Sequence, residues 1–164
     1  MANQSLNRLP TNFEQLYPGA SARATESAMT LVYTSDLIVR GIARLLVPFG
    51  LSPSSGLVLS ILADSGEPLP PKEIAKRLIV TRPTVTGLID SLEQREYVRR
   101  LPHPSDRRML LVDITAKGRQ VASEFRSIVH RHQRMWFEDL GGKEKERLID
   151  ALHRIQNSLT ESDG

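Results

Sequence analysis

Thr81-Arg82-Pro83-Thr84-Val85-Thr86-Gly87-Leu88-Ile89-Asp90-Ser91-Leu92-Glu93-Gln94 is the stretch from which the rest of the chain can be placed. Val85, Leu88, Ile89 and Leu92 recur at i, i+3, i+4 and i+7, one face of an α-helix. Thr81 stands where a hydroxyl can cap that helix. The opposite face carries Pro83, Thr86, Gly87, Asp90 and Gln94. The pattern predicts a helix over Arg82 to Gln94, apolar on one side and thin and polar on the other.

Working outward, Pro71-Lys72-Glu73-Ile74-Ala75-Lys76-Arg77-Leu78 predicts a short helix, with proline in its first turn and Ile74, Ala75 and Leu78 on one face. Downstream, Tyr97 to Leu101 and Met109 to Ile114 are apolar or β-branched runs of strand length. Between them lies Pro102-His103-Pro104-Ser105-Asp106-Arg107-Arg108. Its prolines fix torsions and remove amide donors, so the loop is expected to stand off the sheet. Helix, turn, helix and hairpin in that order predict a winged helix-turn-helix. In such a lobe the polar face of the second helix enters a major groove, and an arginine at the hairpin tip enters a minor groove. The residues expected to meet DNA are Lys72, Thr81, Arg82, Pro83, Thr84, Thr86, Gly87 and Asp90, with Asp106, Arg107 and Arg108 on the wing. Asp106 is read as orienting Arg108.

The other segments are helical. Leu31, Val32, Ile38, Val39, Ile42, Leu45 and Leu46 repeat at helical spacing, with Asp36 and Arg40 placed for an i, i+4 pair and Pro48 as the stop. Ser52 caps and Pro53 opens a second helix that ends near Gly66. A long helix is expected from Ala116 to about Leu140, broken by Gly141-Gly142. A last one, Lys143 to Leu159, strings Leu148, Ala151, Leu152, Ile155 and Leu159 along one side. So long an apolar stripe needs a cover.

Of 164 residues, 40% are hydrophobic, enough for one core. Lys72 to Arg108 holds nine Lys/Arg against five Asp/Glu, or +4, so within a net charge of +3 the rest sums to −1. The basic excess lies in the winged lobe. With no cysteine, disulfides, thiol redox sensing and thiolate metal sites are excluded. The N-terminus lacks a basic-then-apolar signal and no apolar run reaches the roughly 20 residues needed to span a bilayer, which predicts a cytoplasmic protein.

The stretch TRPTVTGLIDSLEQREYVRR, followed by HPSDRR and VDITAKGRQ, resembles the DNA-binding core of the MarR family (multiple antibiotic resistance regulators). The family's wing Asp-x-Arg corresponds to Asp106 and Arg108, and its Leu-Thr-x-x-Gly segment opening the next helix to Ile114, Thr115 and Gly118. The likeness runs from about Ala22 to Leu159. Two residues depart from it. Glu96 stands where relatives carry a helix-ending glycine, which predicts strain before the wing. Gly87 and Ser91 stand where many members carry basic residues, which weakens base readout from the helix.

The resemblance implies a mainly α fold with a small β-hairpin, in which a helical dimerisation lobe built from the N- and C-terminal helices accompanies the winged lobe. The expected organisation is a loose arm over 1–21 and a single domain over 22–164. Its dimerisation helices are 22–48 and 116–160, and its winged helix-turn-helix is 51–115. The implied activity is that of a homodimeric transcriptional repressor on a palindromic operator, released by a small molecule that is aromatic or lipophilic and anionic. Tyr33, Arg40, Phe49, His132 and Trp136 are the candidate ligand contacts. The plainer reading makes the aromatics core or interface residues and His132 a histidine satisfied by one hydrogen bond. His130 and His132 diverge by about 200° on a helix, so no shared metal is expected, and no cofactor is expected. No nucleophile–base pair, phosphate loop or ligand cluster predicts an enzyme. A winged helix used only as a protein-interaction module remains the alternative.

Overall fold

Ser52 starts the helix on which the first part of the chain packs. In the computed structural model, which describes residues 9–78, 81–106 and 109–162, its hydroxyl accepts from the Ser55 N–H at 3.1 Å. Gly66, at φ +70, ends the helix in the left-handed region that glycine adopts at little cost. Before this helix come a four-residue helix, α1 (Phe13–Leu16), and the long α2 (Ala22–Leu46). The segment read as a loose arm therefore contains a helical turn. It also caps its successor: Glu14 Oε1 accepts from the Ala22 N–H at 2.9 Å. Helix α2 stops ahead of Pro48 in a 3₁₀ turn, Val47–Phe49, closed by Gly50 at φ +63.

The helix from Ser52 is α3 (Pro53–Ser65), followed by α4 (Pro71–Leu78), α5 (Arg82–Gln94), β1 (Val98–Pro102) and β2 (Leu110–Ile114). Helix α3 packs against α2, α4, α5 and β2, and α5 packs against β1. Val58, Leu59, Leu62, Ile74, Val85, Ile89, Leu92, Val98 and Val112 are fully buried there. The strands pair antiparallel, Val98 opposite Ile114 through Pro102 opposite Leu110. Leu69 adds a bridge to Val112 on the outer side, by bonds of 3.0 and 2.8 Å.

The hairpin departs from the sequence expectation at both ends. The Tyr97 N–H bonds to the Leu92 carbonyl at 3.0 Å, so it closes the helix end and leaves β1 to begin at Val98. The Met109 N–H closes the loop on the Asp106 carbonyl at 3.0 Å, so β2 begins at Leu110. Pro102, expected in the free loop, is the last residue of β1, where its missing donor matters least. Pairing even continues by one bond, His103 N–H to the Met109 carbonyl at 3.1 Å.

Helices α6 (Ala116–Trp136) and α7 (Gly142–Ser162) complete the chain. Helix α6 ends before the expected Leu140, and the interval to α7 is turns. Helix α7 starts one residue earlier than expected because Glu144 Oε2 reaches back to the Gly141 N–H at 2.7 Å, half of a capping box.

The chain divides into two compact units, residues 1–125 and 126–164. In the second, Leu148, Ile149, Ile155 and Leu159 of α7 are exposed within the single chain. Among the described residues, no single helix is long and apolar enough to cross a membrane.

Candidate DNA-binding surface

The periodicity of α5 sorts its side chains as expected. Val85, Ile89 and Leu92 are buried, while Pro83, Thr84, Thr86, Gly87, Asp90 and Ser91 are exposed. The face named for DNA is thus free of the core. Thr81 holds the cap position with extended backbone, but its hydroxyl bonds the Thr84 hydroxyl at 2.9 Å and caps no N–H. The expected side-chain cap is corrected accordingly. Gly87 faces open space, with nothing near a β-carbon placed there. Lys72 is exposed near the start of α4. The Arg82 side chain, Arg107 and Arg108 lie outside the described residues.

The helix end before the wing carries the strain foreseen at Glu96. Its φ is +61, the only positive value at a non-glycine among the described residues. Thr115 braces this turn. Its hydroxyl donates to the Glu96 carbonyl at 2.7 Å and accepts from the Gly118 N–H at 3.0 Å, which caps α6. Lys117 Nζ pairs with Glu96 at 2.9 Å and lies 5.5 Å from the centroid of the Tyr97 ring. The hydrogen bond and charge of Lys117 hold the Glu96 carboxyl below its ordinary range. Gly118 is fixed by space: a β-carbon there would overlap the Tyr97 carbonyl oxygen and lie 2.9 Å from Ile114 Cγ1. The resemblance had picked out Thr115 and Gly118, and the contacts supply the reason.

Asp90 is both exposed and engaged. It pairs with Arg100 of β1, which also pairs with Glu93. The neighbouring Arg99 turns to Asp113 across the hairpin, at 3.0 Å from Nε and 2.6 Å from Nη2. In the wing loop, His103 Nδ1 accepts from the Ser105 N–H at 3.3 Å. Asp106 is exposed. Sequence reasoning missed Arg100, because its partners sit on another element. The one available signal was Asp90 and Glu93 three apart on α5, with a basic pair opening the wing.

The ligand candidates fall in both units. In the first, Arg40 Nε donates to Asp36 at 2.8 Å, the expected i, i+4 pair, and this keeps the Asp36 carboxyl low and the Arg40 guanidinium high. Tyr33 is exposed. The Phe49 ring meets Phe125 edge-on at 6.1 Å, and its carbonyl accepts from the Tyr97 hydroxyl at 3.2 Å. In the second, His132 Nδ1 donates to the Ile128 carbonyl at 2.9 Å, the single bond expected, and its ring is 6.2 Å from that of Trp136. Among the described residues, no three His, Asp or Glu side chains gather for a metal.

Comparison with known proteins agrees with this architecture. Residues 51–110, from the start of α3 into β2, match the MarR family model. The HTH-type transcriptional repressor YetL of Bacillus subtilis is 29% identical over 116 residues, 70% of each chain. The HTH-type transcriptional regulator PecS of Dickeya dadantii is 28% identical over 135 residues, 79% of this chain and 80% of its own. Among solved structures, CouR from Rhodococcus jostii RHA1 bound to p-coumaroyl-CoA superposes with a TM-score of 0.73 at 26% identity, over 83% of this chain and 95% of its own. The matched region coincides with the helix-turn-helix and the wing, and over it the chain is similar to the MarR family.

Proposed function

We propose that this protein is a sequence-specific, double-stranded-DNA-binding transcriptional repressor that acts as a homodimer on a palindromic operator and is released by a small-molecule effector. The observation that carries the reading is the exposed polar face of α5, Pro83 to Asp90, set beside a basic hairpin. Hydroxyls and open backbone on that face suit base edges and phosphates, and the +4 balance of residues 72–108 suits a polyanion. The DNA contacts in this reading are Lys72, Thr81, Arg82, Pro83, Thr84, Thr86, Gly87 and Asp90 in the major groove, with Asp106, Arg107 and Arg108 at the minor groove. Asp90 contributes chiefly through Arg100.

The repressor role rests on likeness to YetL, and the effector on likeness to CouR with its bound acyl-CoA. An aryl or acyl group with an anionic carrier fits the aromatic and basic candidates Tyr33, Arg40, Phe49, His132 and Trp136. Dimerisation rests on the exposed apolar side chains of α2 and α7.

Selection of bound duplexes from a random DNA pool tests the reading. It should return an inverted repeat with half-sites about one helical turn apart, bound with strong salt dependence. Recovery of no preferred sequence would overturn it in favour of a protein-interaction module.

A further inference from the structure

Arg100 joins two elements that two-groove binding requires to act together. It lies in β1, and its guanidinium pairs with Asp90 and Glu93, about one turn apart on α5. Its backbone N–H also donates to Glu93 Oε1 at 3.1 Å. Glu93 therefore holds both the strand's edge amide and its side chain. The Arg100 side chain is 27% exposed against 62% for Arg99, whose partner Asp113 lies within the hairpin itself. The two adjacent arginines thus do different work: Arg99 ties the hairpin together, and Arg100 ties the hairpin to the helix. Asp90 is 52% exposed on the face bearing Thr86 and Gly87, so without its cation it would set a bare carboxylate against DNA.

We propose that Arg100 is a positioning residue for DNA recognition: by clasping Asp90 and Glu93 it fixes the wing strand against the recognition helix at the spacing at which both meet one duplex. The inference rests on the DNA-binding reading above. A wing held in place adds its contacts without a further ordering cost, whereas a wing that pivots must be ordered on binding.

The test uses the full chain and the selected operator duplex, with affinity and hydroxyl-radical protection measured for wild type, R100A, R100K, E93Q and the triple variant R100A/D90N/E93Q. R100A should weaken binding about tenfold or more, equivalent to about 1.4 kcal/mol. It should lose protection at the flanks that the wing covers, while keeping protection at the half-site centre and nearly the wild-type Tm. R100K, a single point charge unable to bridge two carboxylates, should fall between. E93Q leaves Arg100 with Asp90 and so strands no cation; it should show a smaller flank loss, and it carries the test should R100A fold poorly. The triple variant removes the exposed carboxylates without restoring the clasp, and should not recover the flanks. Wild-type flank protection in R100A and E93Q overturns the proposal, as does full recovery in the triple variant, which would reduce Arg100 to charge neutralisation. Uniform loss of both protections with a large fall in Tm overturns it in favour of a folding role. A wild-type protein that selects no duplex defeats the DNA-binding reading itself, a result distinct from any of these.

Discussion

At Gly118 a single hydrogen atom stands where any other residue would drive a carbon into the Tyr97 carbonyl. The site cannot relax cheaply, because that carbonyl also accepts from the Thr115 N–H at 3.0 Å and Thr115 braces the turn at Glu96. Gly118→Ala should therefore cost about 1–3 kcal/mol, the usual range for overpacking, and lower the Tm by roughly 2–12 °C. Thermal denaturation followed by circular dichroism decides this, and an unchanged Tm would contradict the contact. Glu96 shows the opposite case, in which an unfavourable torsion is retained and its exposed carboxylate tied to Lys117. Because the folded carboxyl titrates below its ordinary value, that tie is present above the unfolded pKa and fades as acid protonates the folded group. At the wing, Arg108→Ala should weaken operator binding by about 1–3 kcal/mol at matched salt, and Asp106→Ala by less. An Arg108 variant with wild-type affinity would remove the minor-groove assignment.

At the scale of elements, the open face of α5 at Gly87 invites the sharpest perturbation. Glycine inside a helix costs about 1 kcal/mol relative to alanine, and a side chain here meets nothing, so Gly87→Ala should stabilise the fold by roughly that amount. Gly87→Lys should keep most of this gain and, by adding a phosphate contact, steepen the dependence of log affinity on log salt by about 0.9 while lowering discrimination between operator and random duplex. A Gly87→Lys protein with an unchanged salt slope would show that this face does not meet DNA. The bounds of α5 were legible because they are local: a proline in the first turn, apolar spacing and a polar remainder all lie within the segment. The strand ends were legible only to within one residue, since the bonds that set them, Tyr97 to Leu92 and Met109 to Asp106, depend on how the turns close. The Arg100 clasp was not legible, because an ion pair across seven and ten residues depends on how the strand lies along the helix. For the ligand candidates only the residue types were readable, because nothing within a single segment fixes which side chains share a site.

At the scale of the whole molecule, the stripes on α2 and α7 matter because a single chain leaves them exposed. Val32 is 70% exposed and Leu159 64%, and the α7 residues recur at the spacing of a packed helix face. Solvated apolar side chains contribute little to a subunit's own stability, so a variant's effect on assembly separates from its effect on folding. To lower operator affinity about a hundredfold, an effector must prefer the non-binding arrangement by roughly 2.7 kcal/mol, and DNA must disfavour the effector equally. Titrating aryl and acyl carboxylates or their coenzyme A thioesters against the protein–operator complex, with Trp136 fluorescence as the reporter, should reveal that reciprocity, and a ligand that binds without moving operator affinity would break it. Dimerisation itself is tested by Leu148→Glu/Ile155→Glu/Leu159→Glu. At exposed positions such changes usually cost a lone subunit no more than about 0.5 kcal/mol each, whereas a buried interface cannot accommodate three carboxylates. The variant should retain its helical content, sediment as a monomer, and bind an isolated half-site as wild type does while losing its advantage on the full inverted repeat. That advantage exists because the second half-site is captured from within an already bound complex, so it disappears with the dimer and not with the recognition helix. A variant that still sediments as a dimer would move the interface off α7, and a monomer that kept the full-site advantage would sever operator symmetry from subunit symmetry.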